Sequence, residues 1–201
     1  MELVKALDQI SEIHDHLARG EVFRGYRPLP VAFTGVCALA AACAQPAIAA
    51  AVPGWGFVSY WVVVAFVCVA VCGGAILYNF IFREDLFSRR RTGRVLGQFL
   101  PCVVAGGTAT FILLRVDPTL GSFLPGLWAL FFSLGVFASR PYLPRATGWV
   151  ALGYLIASFY LLLVARHPGF RPEWGVGATF GAGQLLTALV LYWNLERKEA
   201  A

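Results

Sequence analysis

Two cysteines, Cys68 and Cys72, stand four residues apart in an apolar stretch, so on a helix they face the same way. Together with Cys37 or Cys102, their thiolates could hold a soft metal ion such as Cu(I). No acidic residue and no polar access path accompanies them, and free cysteines in apolar runs serve as small apolar side chains. Packing is therefore the favoured interpretation, and the sequence predicts neither a metal nor another cofactor.

The other reactive side chains lack the neighbours that catalysis needs. His14 and His16 are two residues apart, which on a helix turns them to different sides and prevents joint chelation. Ser133 falls within an apolar run, whereas His167 falls in a connecting segment, and no carboxylate in the run could orient them as a hydrolytic pair. Asp, Glu, Lys, Arg and His are all absent from the interiors of the long apolar runs. The sequence therefore predicts that the protein is not an enzyme.

One uncharged polar residue, Gln184, lies near the middle of the apolar run at residues 174–194. It shares a helical stripe with Gly177 and Gly181, whose G-x-x-x-G spacing lets a second helix approach closely. The favoured role of Gln184 is a hydrogen bond between helices on this packing face, and the alternative is a residue that lines a pocket or pore. Gln45, in the first apolar run, is the second candidate of this kind.

Arginine is concentrated in residues 83–94, which separate two apolar runs. Arg89, Arg90 and Arg91 are consecutive, and Arg94 follows on the next turn. Basic residues in short connections stay on the cytoplasmic side of a membrane, so this segment is predicted to be a cytoplasmic loop. Two further roles are open for the cluster, namely binding of anionic lipid head groups and docking of the acidic amphipathic helix described below.

The composition excludes an ordinary soluble protein. Of the 201 residues, 59% are hydrophobic and only 13% are charged, whereas a soluble domain carries about 25% charged residues. The formal net charge of +5 arises from basic residues at the ends of the apolar runs, so it does not indicate a nucleic-acid partner. Arg greatly outnumbers Lys, and Ala and Gly are abundant, which suggests a bacterial source.

Six apolar runs each approach the roughly 20 residues that cross a hydrocarbon core of about 30 Å. The predicted spans are residues 30–51, 56–82, 95–114, 121–139, 147–165 and 174–194. With a cytoplasmic N-terminus, thirteen of the 16 Lys and Arg residues lie inside, and only Arg115, Arg166 and Arg171 lie outside. This bias predicts that both termini are cytoplasmic, in a bacterial inner membrane.

A further helix is predicted before the first span. Apolar residues recur every three or four positions in residues 2–19, and the opposite face is mainly acidic. The fold is therefore predicted to be all-α, a polytopic membrane protein with six transmembrane helices preceded by a cytoplasmic amphipathic helix. Residues 1–28 form that helix and its linker, residues 29–195 form the membrane domain, and residues 196–201 form a cytoplasmic tail.

Two functions remain open at the level of sequence. The first is a non-catalytic protein that acts by helix-mediated association, as a subunit, scaffold or regulator. Its partners would be the lipid bilayer and either a second copy or another membrane protein. The second is a small channel or facilitator for an uncharged or lipidic solute, with Gln45 and Gln184 along its path. A continuous polar cavity through Gln184 would favour the channel, and a tightly packed bundle with an apolar outer face would favour association.

Overall fold

The computed structural model of the chain describes residues 28–52, 56–82 and 86–196. Within these ranges the backbone is helical apart from short connections, and no strand is present. The predicted amphipathic helix at residues 2–19 and the tail after residue 196 lie outside the described residues.

Six long helices correspond to the six predicted spans. They are α1 Pro28–Ala51, α2 Phe57–Phe82, α3 Leu86–Val116, α4 Leu124–Ser139, α5 Thr147–Val164 and α6 Pro172–Leu191. Short 3-10 turns at Pro118–Phe123 and Arg140–Tyr142 flank α4, and a π-helical turn at Tyr192–Glu196 follows α6. With mean hydropathies between 1.4 and 2.4, all six segments are long and apolar enough to cross a membrane. The prediction of an all-α polytopic fold is confirmed.

The start of the third helix differs from the prediction. The basic segment at residues 83–94 is predicted to be a loop, but α3 begins at Leu86 and carries the arginines within its first turns. Arginine is a good helix former, and the first proline of this helix, Pro101, comes well after the cluster. The connection between α2 and α3 is therefore much shorter than the distribution of charge suggests.

Successive helices run in opposite directions, so the bundle has two ends. We call the end at which α1, α3 and α5 finish and α2, α4 and α6 begin the distal end. The other end, at which α1, α3 and α5 begin, is the proximal end.

The helices differ in how much of their surface other helices cover. The most extensive helix pair joins α1 to α6, and α4 packs closely on both α5 and α3. In α1, α4, α5 and α6, between 33% and 39% of the residues in the apolar window are buried, against 11% in each of α2 and α3. Short connections favour contact between consecutive helices, yet among consecutive pairs α2 and α3 contact each other least. The bundle therefore consists of a packed frame of four helices and a loosely covered α2–α3 pair.

Candidate functional site

Glycines allow α1 and α6 to pack with their backbones close together. A Cβ atom placed on Gly177 would overlap the Cβ of Ala42, and one placed on Gly181 would lie 2.5 Å from Cγ of Leu39. From the other side, a Cβ on Gly35 would lie 3.0 Å from the carbonyl oxygen of Gly181. The structure thus places Gly177 and Gly181 directly against α1, where side chains larger than hydrogen do not fit.

Two hydrogen bonds attach the distal part of α2 to α1. The hydroxyl of Tyr60 donates to the carbonyl oxygen of Ala41 over 2.8 Å, and the indole Nε1 of Trp61 donates to Oε1 of Gln45 over 2.7 Å. Tyr60 and Trp61 are both buried, within a cluster that also includes Val176 of α6. The sequence-predicted candidate Gln45 is therefore committed to a partner on α2.

Further hydrogen bonds connect α3 to α4 and α4 to α5. Trp128 Nε1 donates to the hydroxyl of Thr110 over 2.8 Å, and that hydroxyl donates in turn to the carbonyl oxygen of Gly106. The hydroxyl of Ser133, which is fully buried, donates to the carbonyl oxygen of Ala151 over 2.8 Å. Ser133 is thus occupied in joining two helices.

A cleft of about 660 Å³ lies between α2 and α3, with parts of α1, α4 and α6 as its floor. Val62 and Val69 of α2 and Val103 of α3 line it and are each about half exposed, so they form its rim. Because α2 and α3 barely touch, the cleft opens sideways between them, toward the space that lipid fills in a membrane. From Trp61 to Cys72 it follows α2 for roughly 16 Å, about half the thickness of the hydrocarbon core.

The lining of the cleft is almost entirely apolar. Aromatic side chains from four helices contribute to it, namely Trp61, Phe99, Trp128, Phe131, Phe132 and Phe180. No Asp, Glu, Lys, Arg or His belongs to the lining within the described part of the chain. A charged solute would therefore find no counter-charge here.

Gln184 reaches the floor of this cleft from α6. Its side chain is half-buried, and among the described residues no group forms a hydrogen bond with its amide. The interhelical hydrogen bond favoured for Gln184 from the sequence is thus not formed with any described residue. The other polar side chains of the lining are engaged, since Thr34 donates to the carbonyl oxygen of Val31 over 2.8 Å, and Trp61, Trp128 and Thr110 make the bonds given above.

Three of the five cysteines also line the cleft. Cys68 and Cys72 project from α2 and Cys102 from α3, whereas Cys37 and Cys43 lie outside the lining. Across the described residues, no set of three His, Cys, Asp or Glu side chains lies close enough to hold a metal ion. The soft-metal site considered from the sequence is therefore not assembled in the described structure.

The arginine cluster lies where α3 begins, at the proximal end. Arg89 donates from Nη2 to the carbonyl oxygen of Ile81 over 3.0 Å, and its guanidinium stands 5.3 Å from the ring centroid of Phe80. Arg89 thus caps the end of α2 with the cation that a helix C-terminus favours. Arg94 is exposed, and the side chains of Arg90 and Arg91 lie outside what the structure describes.

At the distal end, Asp117 connects α3 to the 3-10 turn that leads into α4. Its carboxylate accepts hydrogen bonds from the backbone N–H and the hydroxyl of Thr119, both over 2.8 Å. The backbone bond and then the hydroxyl bond hold the pKa of Asp117 below its usual value, and the nearby Arg166 adds to the effect. The carboxylate therefore caps this turn in its charged form.

Sequence reasoning identified Gln184 but missed the cleft around it. Gly107 lines the cleft and has open space where a side chain would be, which the sequence alone does not reveal. Trp61 and Trp128 also line the cleft. Trp61 is the harder of the two to predict, since a tryptophan near a span end usually belongs to an aromatic belt.

Comparison with protein-family models, with curated proteins and with solved structures found no match to this chain. The fold defines the class to which the chain belongs, since six apolar helices of this length are compatible with an integral membrane protein.

Proposed function

We propose that this protein is a non-catalytic integral membrane protein that binds a lipidic solute in the cleft between α2 and α3. One observation carries the proposal, namely an apolar cleft of about 660 Å³ that opens sideways toward lipid. It corresponds to the alternative that the sequence leaves open, a small channel or facilitator for an uncharged or lipidic solute.

The size and chemistry of the cleft support a lipidic solute. Sites for small molecules typically have volumes of about 300–1,000 Å³ and apolar walls with a few polar groups, which matches this cleft and its one free amide. A solute that is soluble in the bilayer can reach the cleft between α2 and α3 without crossing water. An ion or a charged metabolite would lose its hydration shell and gain no ionic partner from the described lining.

The residues that line the cleft favour binding of a solute over catalysis. The one serine examined as a nucleophile, Ser133, is committed to the carbonyl oxygen of Ala151. General acid–base catalysis requires a titratable group within hydrogen-bond reach of the substrate. The described lining offers cysteines but neither a His nor a carboxylate that could act with them.

The proposed setting is the cytoplasmic membrane of a bacterium, with the proximal end and both termini inside. The distribution of Lys and Arg along the sequence supports this orientation. Single cysteines introduced into a cysteine-free variant at Thr119 and at Tyr142 test it. We expect a membrane-impermeant maleimide to label residue 119 in intact cells, and residue 142 only after the membrane is opened.

Two variants of α3 test the proposed binding site. Gly107→Phe places a ring in the cleft, whereas Gly97→Phe places the same ring on α3 outside the cleft lining, and neither position has a neighbour within 4 Å. The probe is a photoactivatable long-chain alcohol, applied to each protein in lipid nanodiscs and competed with the unlabelled alcohol. We expect saturable labelling of α2 and α3 in the wild type and in Gly97→Phe, and loss of the saturable part in Gly107→Phe.

Labelling that cannot be competed, or that Gly107→Phe leaves intact, would contradict a binding site in the cleft. Equal loss in both variants would show that the added ring acts through general disturbance of α3. Native mass spectrometry of the wild-type protein, gently extracted from its own membrane, should also show a bound apolar molecule of defined mass.

A second candidate function is association through the exposed faces of α2 and α3, as subunit, scaffold or regulator. It is favoured by the low burial of these two helices and by a second G-x-x-x-G pattern, Gly93 to Gly97, with open space beside both glycines. The same mass spectrometry distinguishes the two functions. A closed oligomer or a bound protein that is lost in Gly93→Leu would favour association, and a single copy with a bound lipid would favour the cleft.

A further inference from the structure

We infer that the solute of the cleft is an uncharged lipid whose single hydroxyl or carbonyl group is bound by the amide of Gln184. This inference rests on the proposed function and adds the chemistry of the ligand and its direction in the membrane. Its basis is the contrast, within one cleft, between Gln184 and the other polar side chains of the lining.

Among the side chains of the described lining that carry nitrogen or oxygen atoms, Gln184 is the one that has no hydrogen-bond partner among the described residues. The indole N–H groups of Trp61 and Trp128 both donate to other side chains, and the hydroxyls of Thr34 and Thr110 both donate to backbone carbonyls. An amide carries two donor hydrogens and a carbonyl acceptor. In hydrocarbon these groups cost free energy until a partner satisfies them, so a ligand that supplies a partner is favoured over a plain alkyl chain.

The depth of Gln184 restricts the kind of polar group. It is the thirteenth residue of α6, about 18 Å along the helix from Pro172 and near the middle of the 23-residue apolar segment Pro172–Asn194. The charged head group of a phospholipid would have to leave the interface to reach this depth, and no basic residue lines the cleft to receive it. A hydroxyl or carbonyl group carries no net charge, so it can reach this depth and needs no basic residue to bind it.

The shape of the cleft gives the direction of the ligand. Trp61 lies only four residues from the distal start of α2, so Gln184 lies roughly 12 Å deeper in the membrane than Trp61. Between these levels the wall is formed by apolar side chains such as Val64 and Ala65, together with the ring of Trp128. The polar group therefore sits at Gln184, and the apolar body extends from it toward the distal end.

The test uses three photoactivatable probes of equal chain length, an alcohol, a methyl ketone and an alkane, on the protein in lipid nanodiscs. We expect the wild type to bind the alcohol and the ketone about 3- to 20-fold more tightly than the alkane, the range that one hydrogen bond within a membrane supplies. In Gln184→Leu this preference should disappear while alkane labelling is retained, which also shows that the variant is folded. The control Gln98→Leu, at an exposed position of α3 outside the lining, should keep the wild-type preference.

The outcomes separate this inference from the proposed function. If Gln184→Leu keeps the preference for the polar probes, the amide does not recognise the ligand, although a lipid site in the cleft would stand. If none of the probes binds saturably to the wild type, the proposed function fails. A preference for only one of the two polar probes would assign the group as hydroxyl or carbonyl. A photoreactive group at the far end of the chain should label the distal part of α2, and labelling near the proximal end would overturn the inferred direction.

Discussion

The α1–α6 pair and the α2–α3 pair use similar sequence features to opposite effect. In α6, Gly177 and Gly181 lie against α1 so closely that an added Cβ would meet Ala42 or Leu39. In α3, Gly93 and Gly97 have the same spacing and have nothing within 4 Å. The G-x-x-x-G pattern therefore allows close approach without determining that it occurs.

The difference lies in what the partner helix offers. Opposite the glycines of α6, α1 presents Gly35, Ala38 and Ala42, so two surfaces of small residues meet. Opposite α3, α2 is rich in valine and phenylalanine and has the highest mean hydropathy of the six segments, 2.4. Close packing of helices in a membrane needs small residues on both sides, because bulky side chains contact lipid about as well as they contact each other.

The largest effect is expected when a glycine in the α1–α6 contact is replaced by a larger residue. Gly177→Leu should destabilise the bundle by about 3 kcal/mol or more, because the side chain has to displace α1. Gly97→Leu, the same change in open space, should alter stability by less than about 0.5 kcal/mol. Both values can be measured by reversible unfolding in mixed micelles.

The two glycine variants also serve as controls for each other. Equal destabilisation by both would mean that another helix, in the same chain or in a second copy, covers Gly97. An unaffected Gly177→Leu would mean that the α1–α6 contact is looser than its geometry indicates.

A smaller effect is expected from the bond that attaches α2 to the frame. The Trp61–Gln45 hydrogen bond joins α2 to α1 near the distal end. A double-mutant cycle with Trp61→Phe and Gln45→Leu should give a coupling free energy of about 0.6–1.7 kcal/mol, as found for hydrogen bonds between membrane helices. A coupling near zero would show that the packing of the neighbouring Tyr60 and Ala41 holds this end of α2.

The smallest effect concerns the joint between α3 and α4 and depends on pH. Because hydrogen bonds from Thr119 lower the pKa of Asp117 in the folded state, its charged form stabilises the fold. This stabilisation is fully present above the pKa of an unfolded aspartate, about 4, and is lost as the pH falls through the lower folded value. Asp117→Ala should therefore melt slightly below the wild type at pH 6, and the difference should shrink below pH 4. A difference independent of pH would mean that the charge of Asp117 does not contribute.

Much of the fold follows from the sequence because it depends on local hydropathy. Predicting the six spans requires only the length and composition of each apolar run. For five of the spans, the predicted first residue lies within about three residues of the first residue of the observed helix. The third helix, α3, begins well before the predicted span at residue 95, because arginine tolerates helical conformation well and the basic segment continues the helix. The Trp61–Gln45 bond could also be foreseen from the sequence, since the two residues are equally distant from Pro53, which separates the first two predicted spans.

The candidate site was only partly predictable. Gln184 stands out in the sequence because it is polar at mid-span, but its partner depends on which helix faces it. The cleft exists because α2 and α3 barely contact each other. Which helices pack together depends on the whole bundle, and the hydropathy of the sequence does not determine it. Gly107 gave no signal by itself, because open space beside a glycine is visible only when the neighbouring helices are in place.

The α1–α6 contact also has a consequence for biosynthesis. Its two helices are the first and the last of the six, and Gly35 and Gly181 are separated by most of the chain. At translation rates of about 5–20 residues per second, α6 leaves the ribosome on the order of ten seconds after α1, and the small-residue face of α1 is not covered by α6 during that time. Since α6 also has the lowest mean hydropathy of the six, 1.4, we expect its insertion to be helped the most by a helix already in the membrane. Ribosomes that stall late would therefore leave bundles that lack their central contact, and membrane quality control could recognise them by the uncovered face of α1.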